Sequence, residues 1–217
     1  MKQQSDLNDE LLIAFSDSAR SLLHSRSPVT RMRQFRHQLP NFDRSMWQEI
    51  ADAGWTSTLI SEDLDGLSLG LEAACAIAQE IGRNPMPEPY LAGAVQASLL
   101  LNSLEASSLR DDLLRMIASG EKVIGVAWQT SLSATSQIDH DDLMIKQEGE
   151  RVTINGTRHW VYPAQADGWL LVCHQAKKYS GYLPVVKRSV KKHISDSRGP
   201  PQVDVRIAFA VKNRATL

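Results

Sequence analysis

The stretch Asp43–Pro89, DRSMWQEIADAGWTSTLISEDLDGLSLGLEAACAIAQEIGRNPMPEP, has the pattern of two packed helices joined by a glycine-marked connection. The Asp43 carboxylate can cap the first helix by accepting hydrogen bonds from its free amides. Gly54 stands where a left-handed residue would end that helix. An extended piece is expected over residues 55–60, before the turn dipeptide Asp65-Gly66. The apolar positions of the first helix recur at helical spacing: Met46, Trp47, Ile50 and Ala53.

The second helix of this pair has its own apolar face, and glycine and proline mark its end. Gly82 is expected to close it, and three prolines follow within five residues. Proline cannot continue a helix, because it lacks an amide hydrogen and clashes with the preceding turn. The predicted inward residues are Leu71, Ala74, Cys75, Ala78 and Ile81.

Three further helices are predicted around this pair, over residues 6–23, 90–104 and 107–119, with Gly120 ending the last. No single helix can bury its apolar stripe alone, so we expect a bundle. The predicted inward residues of the helix at 90–104 are Leu91, Val95, Leu99 and Leu100.

The periodicity changes after Lys122, where short apolar or alternating runs predict strands. Asn155-Gly156 is a strong hairpin signal and predicts a turn between Arg151–Ile154 and Thr157–Tyr162. Helices first and strands second favour an α+β class, with a helical bundle followed by a partial antiparallel β-domain.

The charge is distributed unevenly along the chain. The 217 residues have a formal net charge of −1, but residues 176–217 hold ten Lys and Arg against two Asp and Glu. So abrupt a change in charge indicates a boundary, and we expect a basic irregular tail from residue 176. The domain prediction is therefore 1–120 helical, 121–175 partial β-domain and 176–217 tail.

The helical stretch resembles the N-terminal domain of acyl-CoA dehydrogenases. The likeness lies in the order Trp47, Ala53-Gly54-Trp55, Ser61-Glu62-Asp63, Gly66-Leu67-Ser68-Leu69, Glu80-Ile81-Gly82-Arg83, Pro87 and Pro89. The resemblance implies FAD as cofactor, an acyl-CoA thioester as substrate, α,β-dehydrogenation as the reaction and a place in fatty acid metabolism. Glu62 and Glu80 match family positions, but the likeness gives them no chemical role.

The strand region extends the resemblance to the family's middle β-domain, through Gly156–Val161 and Ala166–Val172. The resemblance implies that Trp160 lies along the flavin ring, which an indole can cover while excluding water. Tyr162 takes the place of the family's threonine, which donates a hydrogen bond to the ring. The alternative for Trp160 is a core aromatic between sheet and helices.

A second flavin-contacting and substrate-contacting loop is implied after the first strand. The segment Val126–Thr135 occupies its place, with Trp128 and Gln129 where the family has threonine and glutamate, and without the family's glycines. Trp128 and Thr130 are the implied flavin contacts, and Ser133 is the implied substrate contact. An exposed Ser/Thr-rich loop is the alternative.

The family's C-terminal helical domain, which supplies the catalytic glutamate, has no counterpart in the pattern after Ala176. We therefore assign no catalytic residue. The chain is expected to be inactive alone, either as a truncated or frameshifted product or as a subunit that needs a partner, in a homo- or hetero-oligomer. The alternative is a non-enzymatic binding or oligomerisation module with the tail as an electrostatic anchor.

Other classes of function find little support in the sequence. Cys75 and Cys173 are interpreted as small buried hydrophobes rather than a disulfide. No metal site is assigned, because an acidic turn accounts for His140 and its aspartates, and no module for specific nucleic-acid binding is recognised. No apolar run is long enough to span a bilayer and no signal peptide is apparent, so we expect a cytoplasmic protein.

Overall fold

The computed structural model describes residues 2–35, 38, 40–129, 144–148, 151–163, 165–173, 181–186 and 202–210. The chain divides into two compact units, Met1–Val123 and Ile124–Leu217, here called the helical unit and the strand unit.

The described residues of the helical unit form six α-helices. They are α1 Lys2–Arg26, α2 Val29–Phe35, α3 Arg44–Asp52, α4 Gly70–Arg83, α5 Ala97–Asn102 and α6 Ser108–Ala118. Side-chain caps begin two of them, α3 and α6. The Asp43 carboxylate accepts a hydrogen bond from the Ser45 amide at 2.8 Å, as predicted. Gly54, at φ 80°, follows α3, and Gly120, at φ 75°, follows α6.

The core of the helical unit is built around two fully buried indoles, Trp47 and Trp55. The Trp47 Nε1 donates to the carbonyl oxygen of Gly120 at 3.1 Å, which ties α3 to the end of α6. Trp55 meets the Tyr90 ring edge to face, with the centroids 6.2 Å apart. The side chains around them are aliphatic and include Ile50, Ile60, Ile77, Leu101, Leu114 and Ile117.

Two predicted features of the central pair are wrong. Residues 55–57 form a 3-10 helix instead of extended chain. The buried face of α4 consists of Ala73, Ala74, Ile77 and Glu80, whereas Leu71 is 51% exposed and Cys75 lies on the surface. The buried face includes the acidic Glu80, which accepts hydrogen bonds from Ser16, Arg20 and Arg83, and a pattern of apolar residues could not predict a buried carboxylate.

The predicted helix at 90–104 exists in a different form, because residues Leu91–Gln96 form a π-helix before α5. A π-turn takes in more residues than an α-turn and shifts the phase of the next helical turns. The small residues Ala92, Gly93 and Ala94 consequently face inward, while Leu91 and Leu99 are exposed by 56% and 45%. The predicted inward positions of these two leucines are therefore wrong.

The described residues of the strand unit form two three-stranded sheets, with orders β1-β4-β5 and β2-β3-β6. The strands are β1 Ile124–Ala127, β2 Met144–Glu148, β3 Arg151–His159, β4 Gly168–Cys173, β5 Gly181–Val186 and β6 Gln202–Ala210. β1 pairs with β4 in parallel, and the other strand pairs are antiparallel. The prediction of an antiparallel β-domain is corrected to one that also contains a parallel pair.

Two further predictions for this region are wrong. Asn155 and Gly156 do not form a turn; they lie inside β3, paired with Arg206 and Val205 of β6. Pairing of β3 with strands on both sides overrides the local turn preference. The tail is not irregular throughout either, because β5 pairs with β4 and β6 pairs with β3 over nine residues.

In the part of the chain that the structure describes, no helix combines the length and the apolar character needed to cross a bilayer.

Candidate functional site

Three half-exposed aromatic residues lie on the two chain segments that pair where β3 leaves its sheet and passes beside β1. The backbone amide of His159 donates to the Gln129 carbonyl oxygen at 2.9 Å, and Val126 bridges Tyr162. Both antiparallel bridges have the same register, and this register sets Trp128 opposite Trp160. We call Trp128, Trp160 and Tyr162 the aromatic ledge.

The ledge residues are exposed to solvent, and two residues next to them in sequence are buried. Trp128, Trp160 and Tyr162 are exposed by 48%, 50% and 41%, whereas the alternating residues Ala127 and Val161 are 0% and 1% exposed. Each exposed aromatic residue is thus adjacent in sequence to a residue with almost no exposed surface. The arrangement therefore offers a patch of indole and phenol surface to a flat ligand.

The backbone at Trp160 has a conformation that few side chains adopt. Its φ is 54°, in the left-handed region, at the bend between β3 and the bridge at Tyr162. Such a conformation costs of order 1–3 kcal/mol and persists only where the surrounding contacts fix it, commonly at binding sites. The strain is therefore an independent indication that the position of this indole matters.

Tight packing below the ledge holds its backbone in place. The Trp169 Nε1 donates to the Pro163 carbonyl oxygen at 3.3 Å. A Cβ added to Gly125 would lie 3.0 Å from the Trp169 Cδ1 and 3.4 Å from the Tyr162 carbonyl oxygen. The bridge segment thus lies directly against β1 and β4, and a side chain at Gly125 would require its neighbours to shift.

Three of the five site residues predicted from the sequence lie among the described residues, on the two paired segments. They are Trp128, Trp160 and Tyr162, and Trp160 is 50% exposed. Thr130 and Ser133 lie outside the described residues. Only the bridges reveal that Trp128 and Trp160 are neighbours, because residues this far apart in sequence carry no local signal of pairing.

Glu80 in the helical unit is a buried carboxylate whose partners the sequence did not reveal. Its oxygens accept from the Arg20 Nε at 3.2 Å and Nη2 at 2.9 Å, from the Ser16 hydroxyl at 3.0 Å and from Arg83. Hydrogen bonding by Arg20 is the largest influence on the pKa of Glu80, which it lowers against the opposing effect of desolvation. Glu80 therefore joins α1 to α4 by hydrogen bonds and has a structural role.

A second buried carboxylate, Glu88, binds Arg31, the first basic residue of the stretch 31–37. Arg31 donates to both of its oxygens, at 2.9 and 2.5 Å, and the Asp43 amide donates to it at 3.1 Å. The Arg31 guanidinium also lies 5.0 Å from the centroid of the Phe35 ring. Arg31 thus has a structural role in the helical unit. Arg33 is exposed, and Arg36 and His37 lie outside the described residues.

Comparison with known protein families supports the resemblance found in the sequence. Residues 10–121, just over half of the chain, match the model of the acyl-CoA dehydrogenase N-terminal domain. The chain belongs to the acyl-CoA dehydrogenase family. The match covers most of the helical unit, including both buried carboxylates.

Individual proteins are similar to this chain in sequence or in fold. The acyl-CoA dehydrogenase FadE27 of Mycobacterium tuberculosis is 26% identical over 131 residues, which are 60% of this chain and 34% of that protein. The ChsE4-ChsE5 complex from Mycobacterium tuberculosis has a TM-score of 0.71 at 20% identity over 90% of this chain. PigA with FAD and proline has a TM-score of 0.74 at 17% identity over 92% of this chain.

This chain spans about a third of the curated relative and 53% and 56% of the two structural neighbours. At such identities the structural neighbours show the fold alone. One neighbour is described with FAD and another as a complex of two named proteins, and those descriptions apply to the neighbours.

Proposed function

We propose that this chain forms part of an FAD-dependent acyl-CoA dehydrogenase site, with the isoalloxazine ring of FAD stacked on the aromatic ledge. The observation that carries the proposal is the register of the two bridges, which sets Trp128 opposite Trp160 with both indoles half exposed. A flat heteroaromatic ring is the kind of ligand that such a surface covers well.

The residues of the ledge fit the ring of FAD in size and chemistry. An indole buries 150–250 Å² of apolar surface when it is fully covered, and offset stacking adds about 0.5–1.5 kcal/mol. The Tyr162 phenol and the indole nitrogens are hydrogen-bond donors that can reach the polar edge of a ring. In this family the bound FAD would accept the hydride that leaves the acyl-CoA thioester.

We further propose that the remaining walls of the site come from a partner subunit. The ledge is open to solvent on one side, so its three aromatics cannot enclose a ring by themselves. A structural neighbour is described as a complex of two named proteins, which supports an assembly of this kind. We assign no catalytic base among the described residues.

Titration of FAD with the full chain tests this proposal. Stacking on indoles quenches flavin fluorescence, so we expect saturable quenching and a shifted flavin absorption band. Free tryptophan at matched concentration is the control for collisional quenching. Quenching no stronger than that of free tryptophan would contradict the proposal.

A protein-binding module is the second candidate function, and exposed apolar side chains of the helical unit favour it. Ile13, Leu91 and Leu71 are exposed by 61%, 56% and 51%. Single exposed leucines are common on soluble proteins, so this support is weaker than that of the ledge. A chain that associates with itself or with other proteins and leaves FAD fluorescence unchanged would favour this candidate.

A further inference from the structure

We propose that two copies of this chain associate through a row of apolar side chains on the helix formed by the π-helix Leu91–Gln96 and α5. The row consists of Leu91, Val95 and Leu99, and we call it the apolar row. The two copies would be related by a two-fold axis that passes beside Val95. Association of this kind goes beyond the proposed function and does not require FAD.

The apolar row lies on the solvent side of this helix. Leu91 and Leu99 are exposed by 56% and 45%, and Val95 is partly exposed. The opposite side packs into the helical unit, where the buried residues are Ala92, Gly93, Ala94, Ala97, Ser98 and Leu101. The two leucines therefore contribute little to the core of their own chain and are available to a second one.

The change from π-helix to α-helix keeps the row straight. Leu91, Val95 and Leu99 follow one another at intervals of four residues. Four residues complete slightly less than one turn of a π-helix and slightly more than one turn of an α-helix. The two deviations have opposite signs, so Leu91 and Leu99 lie almost in line with Val95 between them.

This helix brings no charge of its own to the surface. The sequence from Tyr90 to Ser103 contains no Asp, Glu, Lys, Arg or His, and the exposed residues besides the two leucines are Gln96 and Asn102. A helix on the surface of a globular protein normally has charged and polar residues on its outer face. Exposed leucines without charges have instead the composition of the centre of a protein interface.

The order of residues in the row favours a second copy as its partner. A leucine lies four residues before Val95 and another lies four residues after it, so the row is the same in both directions. A two-fold axis beside Val95 therefore sets Leu91 of each copy against Leu99 of the other. The contact is self-complementary, and the row itself adds no pair of like charges to it.

The exposed side of α2 is less suited to the same kind of contact. Val29 and Met32 are exposed by 64% and 36%, but Arg33 follows Met32 and is also exposed. A two-fold contact through α2 would bring guanidinium groups of both copies into one interface, and like charges oppose association. The apolar row is therefore the better self-contact of the two.

The apolar row is short, so the expected dimer is weak. Interfaces that bury less than about 1,200 Å² in total are typical of weak or transient association. We expect a dissociation constant on the order of 100 μM. Sedimentation velocity of the full chain without FAD, from about 5 to 500 μM, spans the range in which such a dimer forms.

Two complementary variants test the pairing of the row. Leu91→Glu and Leu99→Lys each place a charge against a leucine, and each should weaken self-association at least tenfold. An equimolar mixture of the two should form dimers again, because the new carboxylate of one chain then meets the new ammonium group of the other. Leu71→Lys is the matched control on α4, where Leu71 is 51% exposed, and it should associate like the unchanged chain.

The outcomes separate this inference from the proposed flavin site. A chain that stays monomeric up to the highest concentration would overturn the inference and leave a different protein as the partner of the row, while FAD titration would be unaffected. Association that neither Leu91→Glu nor Leu99→Lys weakens would also overturn it. A mixture that associates no better than the separate variants would contradict the two-fold pairing, provided that thermal unfolding midpoints show both variants folded.

Discussion

The backbone amide of His159 and the carbonyl oxygen of Gln129 are joined by a 2.9 Å hydrogen bond. This bond and the Val126–Tyr162 bridge hold two distant parts of the strand unit in one register. The register makes Trp128 and Trp160 neighbours on the surface. A candidate flavin site is thus created by backbone pairing, and the side chains complete it.

Replacing Trp160 with alanine should weaken FAD binding about tenfold, because a stacked aromatic contact contributes about 1 kcal/mol beyond the area it buries. Trp160→Phe should retain most of the affinity. Leu109→Ala is the matched surface control, since Leu109 is 47% exposed and lies in the helical unit. Fluorescence titration gives all three constants, and an unchanged affinity in Trp160→Ala would place this indole outside the site.

Gly66 should tolerate no side chain, since an added Cβ would lie 2.0 Å from the Ile60 carbonyl oxygen. We expect Gly66→Ala to lower the free energy of unfolding by about 3 kcal/mol. Gly82→Ala is the control: it lies in α4, and nothing lies within 4 Å of its added Cβ. It should raise stability by roughly 0.5–1 kcal/mol, because alanine favours helix. Urea denaturation compares the two, and equal effects would show that the close approach at Gly66 is unimportant.

Arg31→Met should be strongly destabilising, because it leaves the Glu88 carboxylate buried without its charged partner. Loss of one member of a buried ion pair costs about 3–5 kcal/mol. Adding Glu88→Gln to Arg31→Met should recover part of that loss, since the buried charge is then removed. Arg33→Met, at an exposed position of the same helix, should change stability by about 0.5 kcal/mol or less. Denaturation of these three variants and of Glu88→Gln alone gives the coupling between Arg31 and Glu88, and additive effects would contradict a buried pair.

Glu80 should make the helical unit sensitive to acid. Its folded-state pKa is lowered, chiefly by Arg20, so its contribution is present above the pKa of the unfolded chain. That contribution is lost as the pH falls through the lowered folded-state value. Glu80→Gln should therefore lower the unfolding midpoint near neutral pH and flatten its decline in acid. Glu62→Gln, at an exposed position, serves as the control, and parallel pH profiles for Glu80→Gln and the unchanged chain would contradict this role.

Local signals in the sequence predicted much of the helical unit. Asp43 caps α3, Gly54 follows it in a left-handed conformation, and Gly120 follows α6 as expected. These features depend on a few neighbouring residues. The π-helix at Leu91–Gln96 has no such local signal, and within it a Cβ added to Gly93 would lie 3.1 Å from both Trp47 and Val123. Because the π-helix changes which residues face inward, the predicted inward positions of Leu91 and Leu99 are wrong.

Non-local pairing explains the errors in the strand unit. Asn155-Gly156 is a turn signal in a short peptide, yet in β3 both residues pair with β6. The ledge has the same origin, since the family resemblance named Trp160, Tyr162 and Trp128 separately. Their proximity became visible only with the bridges to β1.

The indole Nε1–H signals in a nitrogen–proton correlation spectrum test the central claim most directly. The chain has five tryptophans, of which Trp47, Trp55 and Trp169 are buried and Trp128 and Trp160 are half exposed. Titration with oxidised FAD should shift the Trp128 and Trp160 signals by ring currents and leave Trp47 and Trp55 in place as internal controls. Saturable binding of FAD that leaves both ledge signals unmoved would contradict the account.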